Sequence, residues 1–132
     1  MIVVDTNIIA YLWLPTEFSD SAEKLLEKDS HWVSVPLWKS ELRSVCMSFI
    51  RQEIITFSEA ITTMNNAEEF LQNNEFNVSS FPVLNHAHNS KCTAYDCEYV
   101  SLAESMKIPL ITKDKQVLKK FPTIAISLEE YT

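Results

Sequence analysis

The 132-residue chain contains no glycine. Its absence excludes the glycine-rich phosphate loops of P-loop and dinucleotide-binding proteins, in which the backbone must approach a phosphate with no Cβ in the way. It also denies every helix the usual glycine at its C-terminus. Cysteine is scarce: Cys46, Cys92 and Cys97 are odd in number and lack the paired spacing of a zinc site. They read as reduced thiols of a cytoplasmic protein, packed as small hydrophobes. No apolar run is long enough to cross a membrane. The N-terminus lacks the basic and then apolar segments of a signal peptide. Basic charge is also short, with 11 Lys and Arg against 18 Asp and Glu for a net charge of −7. That argues against non-specific nucleic-acid binding through a basic surface. It does not exclude an enzyme of nucleic acids, because a site built of carboxylates counts as negative charge until metals fill it.

What is present suits one folded domain: 46% of the residues are apolar, and the length fits a single core. Ile2–Val4 reads as a short buried strand, followed by a helix over 7–13 that stops before Pro15. Phe18, Ala22, Leu25 and Leu26 make an amphipathic helix of 17–28. "HWVSV" (31–35) reads as a second strand, and Pro36 opens a helix that runs to about 51. Ser58 is placed to cap a helix to about 73, "FNVSSF" (76–81) to form a third strand, and Pro82 to lead a short helix to Ser90. Thr93 caps a helix of 94–107, with Tyr95, Tyr99, Leu102 and Met106 as its core stripe. A strand at 109–112, a helix at 115–121 and a strand at 123–126 complete the chain. This alternation predicts an α/β fold, a parallel sheet with helices on both faces.

In such sheets chemistry collects at the carboxyl ends of the strands. Asp5 follows the first strand and Asp114 the strand at 109–112. Glu41 lies in the second turn of the helix leaving the second strand. Asp96 is in the first turn of its helix, at the margin of the apolar face it shares with Val100 and Ala103. Each has an ordinary alternative role: Asp5 in an Asx-turn, Glu41 as a solvated helix residue, Asp96 in a capping box with Thr93, and Asp114 as an N-cap. Together the four acids point to one site. Clustered carboxylates repel one another, and divalent cations remove that penalty. All-oxygen donors without His or Cys select Mg²⁺ or Mn²⁺, which act on phosphoryl groups; paired ions in such sites stand roughly 3.5–4 Å apart. Phosphodiester hydrolysis suits these parts.

The stretches "VVDTNIIAYL", "PLWKSELRSV", "TAYDCEYVSLAE" and "PLITKDKQVL" carry the four acids in order, and together they resemble the PIN domain, in particular its VapC-like toxin ribonucleases. The resemblance implies a three-layer fold on a five-stranded parallel sheet and a Mg²⁺- or Mn²⁺-dependent ribonuclease. It also implies a homodimer and, for members in toxin operons, silencing by a small antitoxin. Asp5, Glu41, Asp96 and Asp114 match the family's acidic quartet; Thr6, Asn7 and Thr112 match its supporting polar residues. Glu98 is read as peripheral, since two helical steps rotate it away from Asp96. The missing glycine between the Asp96 helix and the next strand, where "SMKIPL" stands, departs from the family pattern.

RNA approaching such a site needs local cations, and Lys39, Arg43, Lys113 and Lys115 flank the acids; Lys119 and Lys120 also suit a solvated helix surface. His86 and His88 are assigned no role, and Trp32 and Trp38 read as core. Phe18, Trp38 and Met47 are candidates for a surface that meets a second copy or an antitoxin segment. Two other enzyme classes fit less well. A haloacid-dehalogenase-type phosphatase needs an Asp at position 7, where Asn stands, and a receiver domain needs paired acids before its phosphorylated Asp. A PIN-fold binding module without activity is the remaining alternative.

Overall fold

The computed structural model describes all residues, Met1–Thr132. Strand β1 (Ile2–Val4) leads through Asp5 into helix α1 (Thr6–Trp13), which ends at an extended Leu14 ahead of Pro15, because a residue preceding proline is driven out of the helical region. Helix α2 (Ser19–Lys28), strand β2 (Trp32–Val33) and helix α3 (Leu37–Arg51) follow. Helices α4 (Phe57–Phe70), α5 (Ser80–Ser90) and α6 (Ala94–Met106) precede strand β3 (Leu110–Thr112). Helix α7 (Lys115–Lys120), strand β4 (Ala125–Ser127) and helix α8 (Leu128–Tyr131) close the chain.

The four strands run parallel in the order β2-β1-β3-β4. Alternation along them splits the core in two. Ile2, Val4, Trp32 and Ile111 face a layer that includes Trp38, Leu42 and Cys46 of α3. Val3, Val33 and Leu110 face the opposite layer, with Val100 and Ala103 of α6. This is the three-layer α/β arrangement. On α3 the buried residues recur every fourth position, so the helix lies with one stripe inward and Glu41 at the stripe's edge.

The sheet has four strands rather than the expected five. The segment 76–81 is not a strand: just before it, Glu75 makes an isolated parallel bridge with Ser34, one residue beyond β2, through Ser34 N–H to Asn74 O and Phe76 N–H to Ser34 O, each 3.0 Å. Phe76 and Phe81 are exposed, so no buried face holds the segment in register, and Ser79 already precedes α5. Two helix starts also differ. Thr56, not Ser58, caps α4, in a reciprocal capping box with Glu59 that satisfies two backbone donors at once. Helix α5 begins at Ser80, two residues before Pro82, a proline tolerated in the first turn because its missing N–H would be unpaired there. Helix α8 has no counterpart among the predicted elements; Ser127 caps it and buried Leu128 anchors it.

Without glycine, left-handed backbone falls to other residues: Glu53, Asn73, Lys91 and Lys107 all have positive φ. Lys107, at φ 57° and ψ 42°, ends α6. Ile108 N–H returns to Ala103 O at 3.1 Å and Lys107 N–H to Glu104 O at 3.2 Å, a Schellman-type closure in which glycine has no Cβ penalty. Lys107→Gly is therefore expected to raise stability by about 0.5–1 kcal/mol, measured by urea denaturation. A loss of stability would contradict the strain assigned to this turn.

Candidate active site

Strand β1 sits between β2 and β3, so the chain order reverses about it, and the crevice at its carboxyl end is where ligands of such sheets bind. Asp5 is the first residue beyond β1. It caps α1 by accepting from Ile8 N–H at 3.2 Å through Oδ1, and Oδ2 accepts from the Thr112 hydroxyl at 2.5 Å. Thr112, the buried last residue of β3, in turn accepts from Asp114 N–H at 3.0 Å. Asp114 caps α7 through Val117 N–H at 2.9 Å. One threonine thus ties the loop after β3 to the loop after β1.

Glu41 reaches the same crevice from α3. Its Oε1 accepts from the Thr6 hydroxyl at 2.8 Å and from the Tyr99 hydroxyl at 2.5 Å, and those two hydroxyls are themselves 2.7 Å apart. Asp96 comes from the first turn of α6. Thr93 caps that turn by accepting from Asp96 N–H at 3.0 Å, but the reciprocal bond of a capping box is not formed, and the Asp96 carboxylate accepts no hydrogen bond from the chain. Asp5, Thr6, Asn7, Glu41, Asp96, Tyr99 and Asp114, with Ser44 and Val45 of α3, line one open cleft of ≈ 270 Å³.

The electrostatics follow from this crowding. Burial pushes the Asp5 carboxyl up to about 6; its hydrogen bonds to Thr112 and Ile8 pull the other way, and the charges of Asp114 and Glu41 add to the rise. Burial and the bond to Glu41 hold the Tyr99 phenol well above its ordinary range, so it stays a donor. Burial, then the charge of Glu41, raises Glu98, although Glu98 lines a neighbouring hollow with Val78, Val83 and Leu84.

The donor set is all oxygen and anionic, which fits a hard divalent cation. As placed, no three of the acidic, His or Cys side chains already enclose an ion position. Asp5, Glu41 and Asp114 are each held by their own donors around the cleft, so loading an ion requires side-chain adjustment.

The other expected residues divide. Thr6 and Thr112 bond to acids of the cleft; Asn7 is exposed at its edge. Lys39 Nζ pairs with Glu68 at 3.4 Å. Lys113 pairs with Glu129 and lies 4.2 Å from the Phe18 ring centroid. Arg43 and Lys115 are exposed and enter no ion pair. Of the apolar surface candidates, Trp38 is fully buried, Phe18 is half-buried against Tyr11 at 5.0 Å, and Met47 is 37% exposed. The exposed apolar residues are elsewhere, notably Phe57, Phe81, Leu84 and Tyr95. Tyr99, read from sequence as core, was missed as a cleft residue, as were Ser44 and Val45 of α3. The available signal was a phenol in an otherwise apolar buried stripe, since a buried tyrosine hydroxyl needs a partner.

Residues 2–123 match the family model described as PIN domain. The chain is 30% identical over 128 residues to "Ribonuclease VapC3" of Pyrobaculum aerophilum, covering 93% of this chain and 96% of that protein. Its fold is similar to that of PAE2754 from Pyrobaculum aerophilum, with TM-score 0.76 and 22% identity over 98% of this chain and 92% of the other. It is also similar to FitAcB from Neisseria gonorrhoeae, with TM-score 0.71 and 13% identity over 98% and 99% of the two chains. A toxin-antitoxin complex from Klebsiella pneumoniae matches with TM-score 0.68 and 19% identity over 97% and 98%.

Asp5 sets a pH dependence with a definite sign. Its folded pKa, about 6, exceeds the ordinary 3.8, so the folded chain binds this proton more tightly than the unfolded one. The stabilisation is complete below about pH 4 and is lost as pH rises through about 6. In chelator, Asp5→Asn is expected to remove this dependence and to exceed the wild type in stability at pH 7.5 by about 3 kcal/mol. Thermal unfolding of both proteins at pH 5 and 7.5 checks this; an equal difference at both pH values would contradict it.

Proposed function

The chain belongs to the PIN domain family, and from that premise we propose that it is a Mg²⁺- or Mn²⁺-dependent endoribonuclease, the toxin of a toxin-antitoxin pair. The observation that carries the reading is the convergence of Asp5, Glu41, Asp96 and Asp114, from four separate elements, on one cleft at the switch point of the sheet. The ribonuclease name of the 30%-identical relative supports RNA as substrate.

In this reading the four carboxylates hold the divalent ion. Such an ion, when bound, supplies charge neutralisation at the phosphate and an acidified water. The chain's own residues set the stage for it. Thr112 fixes Asp5 and the Asp114 loop, so two acids keep their spacing as substrate enters. Asp96, whose carboxylate spends no bond on its own helix, is the acid freest to turn toward a ligand. Arg43 and Lys115, the basic residues of this region that enter no ion pair, bind phosphates on either side of the scissile bond. Lys39 and Lys113 contribute less because Glu68 and Glu129 already hold them.

The partner is an RNA and, outside catalysis, a small antitoxin protein. The toxin-antitoxin complex among its structural relatives supports the latter. Exposed Phe81 and Leu84, three residues apart on α5, support a homodimer, since neighbouring apolar side chains on a surface mark association sites. No helix is long and apolar enough to cross a membrane, and three buried, unpaired thiols support a reducing, cytoplasmic setting.

A generic single-stranded RNA incubated with the chain and Mg²⁺ or Mn²⁺ tests the reading. Cleavage is expected to stop with EDTA. Asp5→Asn and Asp96→Asn are expected to lower the rate at least ~100-fold, more than the loss of a residue that only supports a ligand. Cleavage indifferent to EDTA, or variants as fast as wild type, would contradict the proposal. RNA binding without cleavage by the wild type would favour the inactive binding module.

A further inference from the structure

Glu41 needs support if it is to serve as a ligand. It stands on α3 beside Ser40, Arg43 and Ser44, all exposed, and a glutamate with three free rotors at a helix edge samples solvent as readily as the cleft. Its orientation depends on what holds it. Tyr99 is 3% exposed and packed in the apolar layer of α6. Its ring has only two rotors, and burial locks both, so its hydroxyl oxygen is a fixed point. That oxygen lies 2.5 Å from Glu41 Oε1, and the Thr6 hydroxyl lies 2.8 Å from the same atom.

Counting protons fixes what the triangle does. Three oxygens make three contacts of 2.5–2.8 Å, but only the two hydroxyls carry a hydrogen when Glu41 is ionised. The 2.7 Å contact between Thr6 and Tyr99 is thus a consequence of both hydroxyls crowding onto one acceptor, and Oε1 is saturated. Oε2 accepts nothing from the chain. A carboxylate held by one oxygen offers the other to the cleft.

We propose that Tyr99 is a positioning residue: with Thr6 it clamps Oε1 of Glu41 so that Oε2 stands ready as a ligand for the divalent ion. This rests on the reading of the cleft as a metal site. Tyr99 lies three residues, close to one helical turn, beyond Asp96 on α6, so a single rigid helix supplies one acid of the cleft and orients the acid opposite. Support of this kind, one shell behind the ligand, fixes both geometry and affinity.

Calorimetric titration with Mn²⁺ alone, without RNA, tests the clamp in wild type, Tyr99→Phe, Glu41→Gln and the double variant. Tyr99→Phe is expected to weaken Mn²⁺ binding 10–100-fold. The double variant is expected to bind no more weakly than Glu41→Gln, because Tyr99 acts through Glu41. Thermal unfolding in chelator monitors folding. Thr6→Val, which removes the clamp's other donor, is expected to repeat the pattern and covers the case of an unfolded Tyr99→Phe. Unchanged Mn²⁺ affinity in a folded Tyr99→Phe or Thr6→Val would overturn the clamp and leave the metal site standing. So would equal weakening with and without Glu41. A wild type that binds no Mn²⁺ would instead overturn the metal site itself, and the clamp with it.

Discussion

The parallel pairing of β1 with β3 is the contact on which the rest depends. It brings two chain segments more than a hundred residues apart into register, Val3 beside Leu110 and Val4 beside Ile111. The residues that follow, Asp5 and Thr112, then meet in a hydrogen bond at the strand ends. Pairing of β1 with β2 on its other side brings the start of α3, and with it Glu41, to the same edge. Short strands suffice because every one of their core-facing side chains is buried. Apolar burial sets the register, and the register sets where the acids go.

Gathering four acids has an electrostatic cost, and the fold offsets part of it locally. Asp5 and Asp114 act as helix caps and Glu41 accepts from two hydroxyls. The ordinary roles and the proposed functional ones are therefore not rivals: the same carboxylate that caps a helix is kept at the cleft, where a ligand can reach it. What is not offset shows at Asp5, whose carboxyl is driven up to about 6 chiefly by burial. A site that is less stable than its surroundings until charge is neutralised is a common trade of stability for function.

Much of this was legible from residue order. The periodicity of 94–107 and the β-branched runs at 2–4 and 109–112 specify helix and strands whose ends fall within a residue or so of those observed. The strand ends then imply which acids share an edge. The segment 76–81 misleads because Phe76, Val78 and Phe81 look like strand residues, yet nothing in local sequence reports that both phenylalanines lie exposed. Ser58 competes with Thr56 as a cap, and the decision rests on the reciprocal bond from Glu59. The pairing of Lys39 with Glu68 and of Lys113 with Glu129 joins segments distant in the chain. So does the meeting of Tyr99 with Glu41. Only the folded chain brings such partners together, which is why Tyr99 passed as one more aromatic of the core. The absent glycine, by contrast, foretold its consequence: left-handed turns carried by Lys91 and Lys107 at the ends of α5 and α6.

The central claim is that acids from four elements share a divalent ion in one pocket. Diffraction at the manganese absorption edge, from crystals grown with Mn²⁺, tests it most directly. The account predicts an anomalous peak in the cleft with carboxylate oxygens of Asp5, Glu41, Asp96 or Asp114 at about 2.1 Å. A fully soaked crystal with no peak there, or with manganese bound only at other surface acids, would contradict it.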